Sequence, residues 1–420
     1  MKKKFGIFIL TFLIVVVLGG TVLFLVAQNR NGDTVLVNGG QGAVDAASEN
    51  NIAETEIVSA DEIMPSEELQ ETEVTSEQED IPEEILDERT FRLEPSEDGS
   101  VVFAFAGDIL FDPYYAIFSS YHQRGDRIEE CISEELLAEM HNADIMMLNN
   151  EFPYTDRGTP TPGKIYTFRA DTESVSVLKD MGVDIVSIAN NHTYDYGEIS
   201  LLDTLDTLEQ AEIPYVGAGR NIEEAVKPVY YLLGDMKIAV IGATQIERLS
   251  APNTRGATET SPGVFRCLQP DLLVETIRTA KEECDFVILY IHWGTESTDQ
   301  LDWCQVEQAP LYVEAGADII IGDHPHCLQE IGYIDGVPIV YSLGNFWFNS
   351  RTMDSCIVKL TLSEEGIQSL QFVPCLQSGC RVSMLEGEER DRVLSYMRGI
   401  SSTAQIDEEG FVTDPAAVSE

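Results

Sequence analysis

The sequence has few basic residues, few histidines and no closely spaced cysteine pair. Its 420 residues include 26 lysines and arginines against 73 aspartates and glutamates, which gives a formal net charge of −47. This charge argues against nucleic-acid binding, because the phosphate backbone would be repelled. No two of the eight cysteines are separated by two residues, so a zinc ribbon is excluded. The six histidines are few enough for their positions to be informative.

An uncharged apolar run from Phe5 to Ala27 follows three lysines at positions 2–4. As a helix it would be roughly 34 Å long, enough to cross a hydrocarbon core of about 30 Å. The lysines predict a cytoplasmic N-terminus, with the rest of the chain outside the cell. A cleaved signal peptide is the alternative. The length of the run and the lack of a clear small-x-small cleavage site favour an uncleaved anchor.

Composition divides the chain into four segments. Residues 1–28 are predicted to be a cytoplasmic stub and transmembrane anchor. Residues 29–98 are predicted to be a disordered stalk, since 20 acidic and only two basic residues lie between Asp45 and Asp98. Residues 99–376 are predicted to form the folded domain, and residues 377–420 a partly disordered C-terminal extension. The sequence leaves open whether Cys375 and Cys380 are joined.

The predicted folded domain alternates apolar strands with amphipathic helices. Runs such as 101–106, 183–189 and 286–291 have the length and composition of strands buried on both faces. Apolar residues recur at helical spacing in 126–142 and 198–212. This alternation predicts an α/β fold. Open α/β sheets bind ligands at the carboxyl ends of their strands, so the residues after each strand become candidates for function.

Side chains that commonly bind metals follow five of the predicted strands. They are Asp108, Glu151, Asn191 with His192, His292, and His324 with His326. Carboxylate, amide and imidazole ligands together suit Zn, Mn, Fe or Co, so we predict a site for one or two divalent ions. Such an ion would lower the pKa of its water toward ~7 and supply a nucleophile without a serine or cysteine.

Each of these residues could instead have a purely structural role. Asp108 could cap a helix, and Glu151 could be a surface carboxylate in a turn. Asn190 and Asn191 could support a turn, and His292 beside a tryptophan could be a packed core histidine. The clustering of four of the six histidines at strand ends favours the metal site.

These motifs together resemble the CapA family of poly-γ-glutamate capsule synthesis proteins. The segments that carry the resemblance, in the family's order, are Ala106-Gly107-Asp108, Asn150-Glu151, Ala189-Asn190-Asn191-His192, His292-Trp293-Gly294, Gly316-Ala317-Asp318, Gly322-Asp323-His324-Pro325-His326 and Ser342-Leu343-Gly344-Asn345-Phe346. The family resembles the calcineurin-like metallophosphatases. That resemblance implies a four-layer α/β/β/α sandwich, preceded here by one N-terminal transmembrane helix.

The resemblance also implies a role for each residue. Asp108 and His326 would hold a first metal, Glu151 would bridge, and Asn191, His292 and His324 would hold a second. His192 would be catalytic and protonate the leaving group. Leu110 stands where metallophosphatases have a histidine, so a mononuclear or weakly loaded site is an alternative. Asn190 and Asp323 are predicted to orient the metal ligands through hydrogen bonds without binding the metal themselves.

Substrate contacts are predicted for Lys164, Arg169 and Asn345. The two basic residues would hold an anionic substrate on an otherwise acidic protein, and Asn345 would orient substrate or water. The resemblance implies a membrane-anchored extracellular protein for synthesis or export of a γ-linked glutamate polymer, with that polymer and a membrane synthase complex as partners. The alternatives are a general extracellular metallophosphoesterase and a non-catalytic partner of the synthase.

Overall fold

A computed structural model describes residues 87–246 and 255–417 of the chain. The predicted transmembrane run of residues 5–27 and most of the predicted stalk lie outside these described residues. No helix in the described ranges has both the length and the hydropathy needed to cross a membrane.

The elements are numbered in chain order. The helices are α1 (Ala116–Gln123), α2 (Glu134–His141), α3 (Ser176–Asp180), α4 (Glu198–Gln210), α5 (Ile222–Ala225), α6 (Asp271–Glu283), α7 (Trp303–Ala315) and α8 (Gly387–Ile400). The strands are β1 (Thr90–Arg92), β2 (Val101–Ile109), β3 (Ile145–Asn150), β4 (Ile185–Ser187), β5 (Tyr215–Val216), β6 (Ala218–Gly219), β7 (Val229–Leu233), β8 (Met236–Thr244), β9 (Gly263–Val264), β10 (Phe286–His292), β11 (Ile319–Asp323), β12 (Ile331–Ile334), β13 (Val337–Val340), β14 (Asn345–Trp347), β15 (Met353–Ser363), β16 (Gly366–Ser378), β17 (Arg381–Met384), β18 (Gln405–Ile406) and β19 (Val412–Thr413).

Two large mixed sheets form the centre of the fold. The seven-stranded sheet has the order β1-β7-β8-β10-β11-β13-β12, and its strands β8, β10, β11 and β13 run parallel. The eight-stranded sheet has the order β17-β16-β15-β2-β3-β4-β5, with β14 paired to β2, and its strands β2 to β5 run parallel. The predicted α/β class is confirmed.

Alternate residues of the central strands belong to different hydrophobic clusters. In β10, Ile288 and Tyr290 belong to a cluster that joins the two sheets, whereas Leu289 packs with side chains of α6 and α7. In β2, Phe105 faces the other sheet and Ala104 belongs to the cluster that holds α2 and α4. Because successive side chains of a strand point to opposite faces, both faces of each sheet are covered. This explains why these strands are apolar throughout.

The N-terminal limit of the folded part lies earlier than the predicted boundary at residue 98. Strand β1, within the predicted stalk of residues 29–98, pairs in parallel with β7 at the edge of the seven-stranded sheet. The guanidinium of Arg89 donates to the carbonyl oxygen of Tyr215 at 2.7 Å and to that of Pro228 at 3.0 Å. An edge strand of three residues is stabilised by its sheet partner, and composition alone does not reveal this pairing.

The C-terminal extension, residues 377–420, was predicted to be partly disordered, and its described part contains regular elements. Strand β17, helix α8 and the β18–β19 hairpin lie there, and Val393, Ile406 and Val412 belong to the cluster between the sheets. Arg398 donates to the carbonyl oxygen of Ile406 at 2.6 Å. The buried residues Val393, Leu394 and Met397 of α8 lie at helical spacing, which was the available signal for order in this segment. Cys375 and Cys380 are both free thiols.

Gly107 precedes Asp108 at a point where β2 and the segment before β14 lie too close for a side chain. A Cβ at Gly107 would lie 1.8 Å from the carbonyl oxygen of Gly344. We expect Gly107→Ala to lower the free energy of unfolding by about 1–3 kcal/mol in denaturant titrations, because backbone must move.

Gly399→Ala is the matched control for this substitution. A Cβ at Gly399, in α8, would meet no atom within 4 Å. The control should leave stability unchanged or raise it slightly, since alanine favours helix. Equal stability of the two variants would contradict the close approach at Gly107.

Candidate metal centre

Side chains from the carboxyl ends of strands in both sheets meet at one place. Asp108 lies near the end of β2, Glu151 directly follows β3, His292 ends β10 and Asp323 ends β11. Asn191 follows β4 by four residues. All five residues are buried. Parallel strands with their carboxyl ends at a common edge therefore bring together oxygen and nitrogen donors that are far apart in sequence.

The imidazole of His292 lies at the centre of one group of donors. Its Nδ1 is 2.9 Å from Asp323 Oδ1, and its Nε2 is 2.8 Å from Asn191 Oδ1 and 3.0 Å from His324 Nδ1. When Nδ1 donates its proton to the Asp323 carboxylate, Nε2 carries a lone pair. That lone pair then faces the electron-rich oxygen of Asn191. A cation that attracts both atoms would stabilise this arrangement.

A second group of donors adjoins the first and shares Glu151 with it. Asp108 Oδ2 is 2.9 Å from His326 Nδ1, and Glu151 Oε1 is 3.9 Å from His326 Nε2 and 3.7 Å from His292 Nε2. Three sets of donor atoms each lie within 4.8 Å of one another: Glu151, His292 and His324; Asp108, Glu151 and His326; and Asp108, His292 and Asp323. Leu110 is buried in a hydrophobic cluster and adds no donor.

Glu151 has the environment expected of a carboxylate that binds a cation. It is fully buried, and neither carboxylate oxygen has a hydrogen-bond partner in the described part of the chain. Burial raises the pKa of Glu151 well above its usual value, and the nearby Asp108 raises it further. The same two causes raise the pKa of Asp323. Since unpaired buried carboxylates are costly, the residues present fit a divalent metal ion.

The turn that carries His324 and His326 has an unusual backbone. The φ angles of these residues are 94° and 57°, in the left-handed region that favours glycine. This turn directs the His326 ring to Asp108 and to Asn345, whose Oδ1 lies 2.9 Å from His326 Nδ1. The strained backbone is thus found where two predicted ligands are placed.

His192 lies at the edge of the cluster, and Asp195 holds its ring on the side away from Glu151. Its Nδ1 is 2.7 Å from Asp195 Oδ2, and its Nε2 faces Glu151 Oε1 at 3.9 Å. The ring of Phe168 stacks on it, with a centroid distance of 4.2 Å. Burial lowers the pKa of His192, although Asp195 opposes this effect. A ring with Nδ1 bound to Asp195 presents Nε2 toward the donor cluster.

Lys164 and Arg169 were predicted to hold substrate. In the structure both side chains contact other side chains of the protein. The Lys164 side chain is only 5 % exposed, forms an ion pair with Asp195 and lies 3.3 Å from His192 Nδ1. The Arg169 guanidinium lies over the ring of Tyr196, at 4.7 Å from its centroid. Lys164 therefore lies behind His192 rather than on an open surface. No pattern in the sequence indicates that Asp195 would pair with Lys164.

A chain of amides supports the cluster, and one of its members was missed by the sequence analysis. Asn190 Nδ2 donates to Asn149 Oδ1 at 2.9 Å, and Asn149 Nδ2 donates to Asp108 Oδ1 at 2.8 Å. Asn149 was not predicted to be functional. Its place in β3, two residues before Glu151, was the available signal.

A family model and several known proteins match the sequence of this domain. The model of the family "Bacterial capsule synthesis protein PGA_cap" matches residues 102–350. "PGA biosynthesis protein CapA" of Bacillus subtilis (strain 168) is 32% identical over 291 residues, which cover 68% of this chain and 74% of that protein. "Capsule biosynthesis protein CapA" of Bacillus anthracis is 35% identical over 233 residues, and the match covers 53% of this chain and 55% of that protein. The chain thus spans about half the length of the second relative.

Among solved structures, the sulfate thiohydrolase SoxB of Thermus thermophilus is similar at 13% identity and a TM-score of 0.38. The match covers 73% of this chain and 61% of that chain.

Glu151→Gln tests whether the cluster binds a cation. In the presence of chelator the variant should be at least as stable as the wild type, because its neutral carboxamide replaces a carboxyl group whose charged form burial and Asp108 disfavour, which raises its pKa. Added Mn²⁺ or Zn²⁺ should raise the melting temperature of the wild type, since a ligand that binds only the folded state stabilises it. The variant should bind metal at least about tenfold more weakly.

Metal content by mass spectrometry and thermal melts with and without metal would measure these effects. Glu129→Gln, at an exposed side chain, is the matched control and should behave as the wild type. Metal binding of unchanged affinity by Glu151→Gln would rule out Glu151 as a ligand.

Proposed function

The chain belongs to the CapA family of bacterial capsule synthesis proteins, and we propose that it takes part in the synthesis or export of a poly-γ-glutamate polymer outside the cell. The names of the Bacillus relatives, which refer to biosynthesis of PGA and of capsule, support this proposal. In it, residues 5–27 anchor the chain in the membrane, and the domain lies on the outer side as a metallophosphatase-type sandwich. The anionic polymer and a membrane synthase complex are its partners.

The observation that carries a catalytic role is the convergence of donor atoms around His292 Nε2. A bound divalent ion would activate water and polarise the bond that reacts. A proton on His292 Nδ1, 2.9 Å from Asp323 Oδ1, would leave Nε2 available to a cation. His192, held by Asp195, exchanges a proton at Nε2 with the leaving group. This arrangement supports hydrolysis or transfer at an amide or phosphoester bond.

Charge gives a second reason to place the reaction at this cluster. A polyanion that approaches a protein with a formal net charge of −47 is repelled by most of its surface. Divalent ions held by Asp108, Glu151 and the histidines would give a local positive field at the site. Bound cations are often the largest charges in such a site.

Loss and rescue of the polymer in the native host test this proposal. Deletion of the gene should abolish the γ-linked glutamate polymer at the cell surface, measured as glutamate released by acid hydrolysis. The wild-type gene and an exposed control, Arg381→Ala, should restore it. Glu151→Gln and His192→Gln, at equal protein levels, should lower the polymer at least about tenfold, because each removes a catalytic function.

The other outcomes identify the two alternatives. Unchanged polymer in the deletion strain would overturn the role in polymer synthesis. Full rescue by Glu151→Gln would instead identify a non-catalytic partner of the synthase. Hydrolysis of a bis-aryl phosphate by the purified protein, lost in Glu151→Gln while polymer is unaffected by deletion, would identify a general metallophosphoesterase.

A further inference from the structure

The short segment from Lys164 to Phe168 contacts His192 with both of its ends. Lys164 Nζ lies 3.3 Å from His192 Nδ1, and the ring of Phe168 stacks on the imidazole. The backbone N–H of Phe168 also donates to Asp195 Oδ2 at 2.6 Å. The segment therefore meets His192 at the Nδ1 edge and on the face of the ring, and it holds the carboxylate that Nδ1 contacts.

The ammonium group of Lys164 is buried beside oxygen atoms of two other residues. The side chain is only 5% exposed and forms an ion pair with Asp195 Oδ1. The same Nζ donates to the backbone carbonyl oxygen of Asn191, the residue before His192. Because a buried charge is costly unless it is paired, the contact with Asp195 stabilises both charged groups. A side chain with so little exposure offers no open surface to a substrate.

The carboxylate of Asp195 is fully buried and is shared between Lys164 and His192. Its Oδ1 accepts from Lys164, and its Oδ2 lies 2.7 Å from His192 Nδ1. A carboxylate can only accept hydrogen bonds, so Nδ1 must donate. A bare Nδ1 could accept from Lys164, but its lone pair would then face Oδ2 at that short distance. In the neutral ring the lone pair is therefore on Nε2, which faces Glu151.

We propose that Lys164 is a positioning residue: its charge keeps Asp195 ionised and so fixes the proton of the neutral His192 ring on Nδ1. The inference rests on the proposed function, in which His192 exchanges a proton at Nε2. It adds to that reaction a residue that belongs to none of the donor groups.

Loss of the charge at position 164 would reverse the hydrogen bond between Asp195 and His192. A buried carboxyl group with no opposite charge beside it favours its protonated form. A protonated carboxyl group is a hydrogen-bond donor, and it would donate to Nδ1. The proton of the neutral ring would then lie on Nε2. His192 would present a proton instead of a lone pair to the donor cluster and could no longer accept a proton at that atom.

Nitrogen-15 NMR spectra of the full-length chain, labelled at histidine, test this proposal without any activity. Chelator removes metal, and about pH 8 keeps an ordinary imidazole neutral. Protonated and bare ring nitrogens have well-separated signals, and His192→Gln identifies the two signals of this ring by their loss. In the wild type Nδ1 should carry the proton and Nε2 should be bare. In Lys164→Met, Nε2 should carry a proton.

Two further variants keep the test decisive. Lys164→Gln retains a hydrogen-bond donor without the charge, and it is the second neutral variant should Lys164→Met not fold. Lys359→Met removes the same charge from a partly buried ion pair with Glu139, and it should keep the wild-type spectrum of His192. A proton on Nε2 in the wild type would overturn the proposal. So would a bare Nε2 in either neutral variant that folds.

The same variants have an expected effect in the native host. At equal protein levels Lys164→Met should lower the polymer at least about tenfold, because His192 loses its function at Nε2. Lys359→Met should restore the polymer as the wild type does. Where gene deletion abolishes the polymer, full rescue by Lys164→Met would overturn the positioning role.

Failure of this inference is separable from failure of the proposed function. If gene deletion abolishes the polymer but Nε2 stays bare in Lys164→Met, only the inference about Lys164 fails. If the spectra change as expected but gene deletion leaves the polymer unchanged, the proposed role in polymer synthesis fails, and Lys164 still fixes the proton of His192.

Discussion

The mutual repulsion of buried carboxylates is the constraint on which this domain depends. Asp108, Glu151 and Asp323 come from strands of both sheets, and all three are fully buried. The apolar strands that pack into the core bring these groups together, so folding itself creates a region of negative charge with little access to water. Protons or a cation must balance it, which ties the stability of the fold to its chemistry.

Most of the cluster could be predicted from the sequence because its members directly follow recognisable apolar runs. His292 and Asp323 end such runs, and parallel strands of one sheet bring their carboxyl ends together. Asn149 likewise follows the apolar part of β3. It was not predicted because Glu151, two residues later, already supplied a donor at the end of that strand.

What the sequence could not show depends on contacts between distant segments. Lys164 resembles an exposed basic residue until the chain between it and Asp195 folds back and buries both side chains. Strand β1 and the β18–β19 hairpin are too short for a period to be visible, and they are ordered by the sheet edge and the hydrophobic cluster that they meet. Local pattern determines long elements, whereas short ones depend on their neighbours.

The backbone angles of the His-Pro-His turn restrict which residues suit positions 324 and 326. Glycine would adopt the φ angles of His324 and His326 with less strain than any side chain. Selection for folding alone would therefore drive both positions toward glycine, and Pro325 between them limits how far the turn can relax. In this chain histidines occupy both positions against that conformational preference. In a copy of this domain that lost its chemistry, these two positions should be among the first to drift.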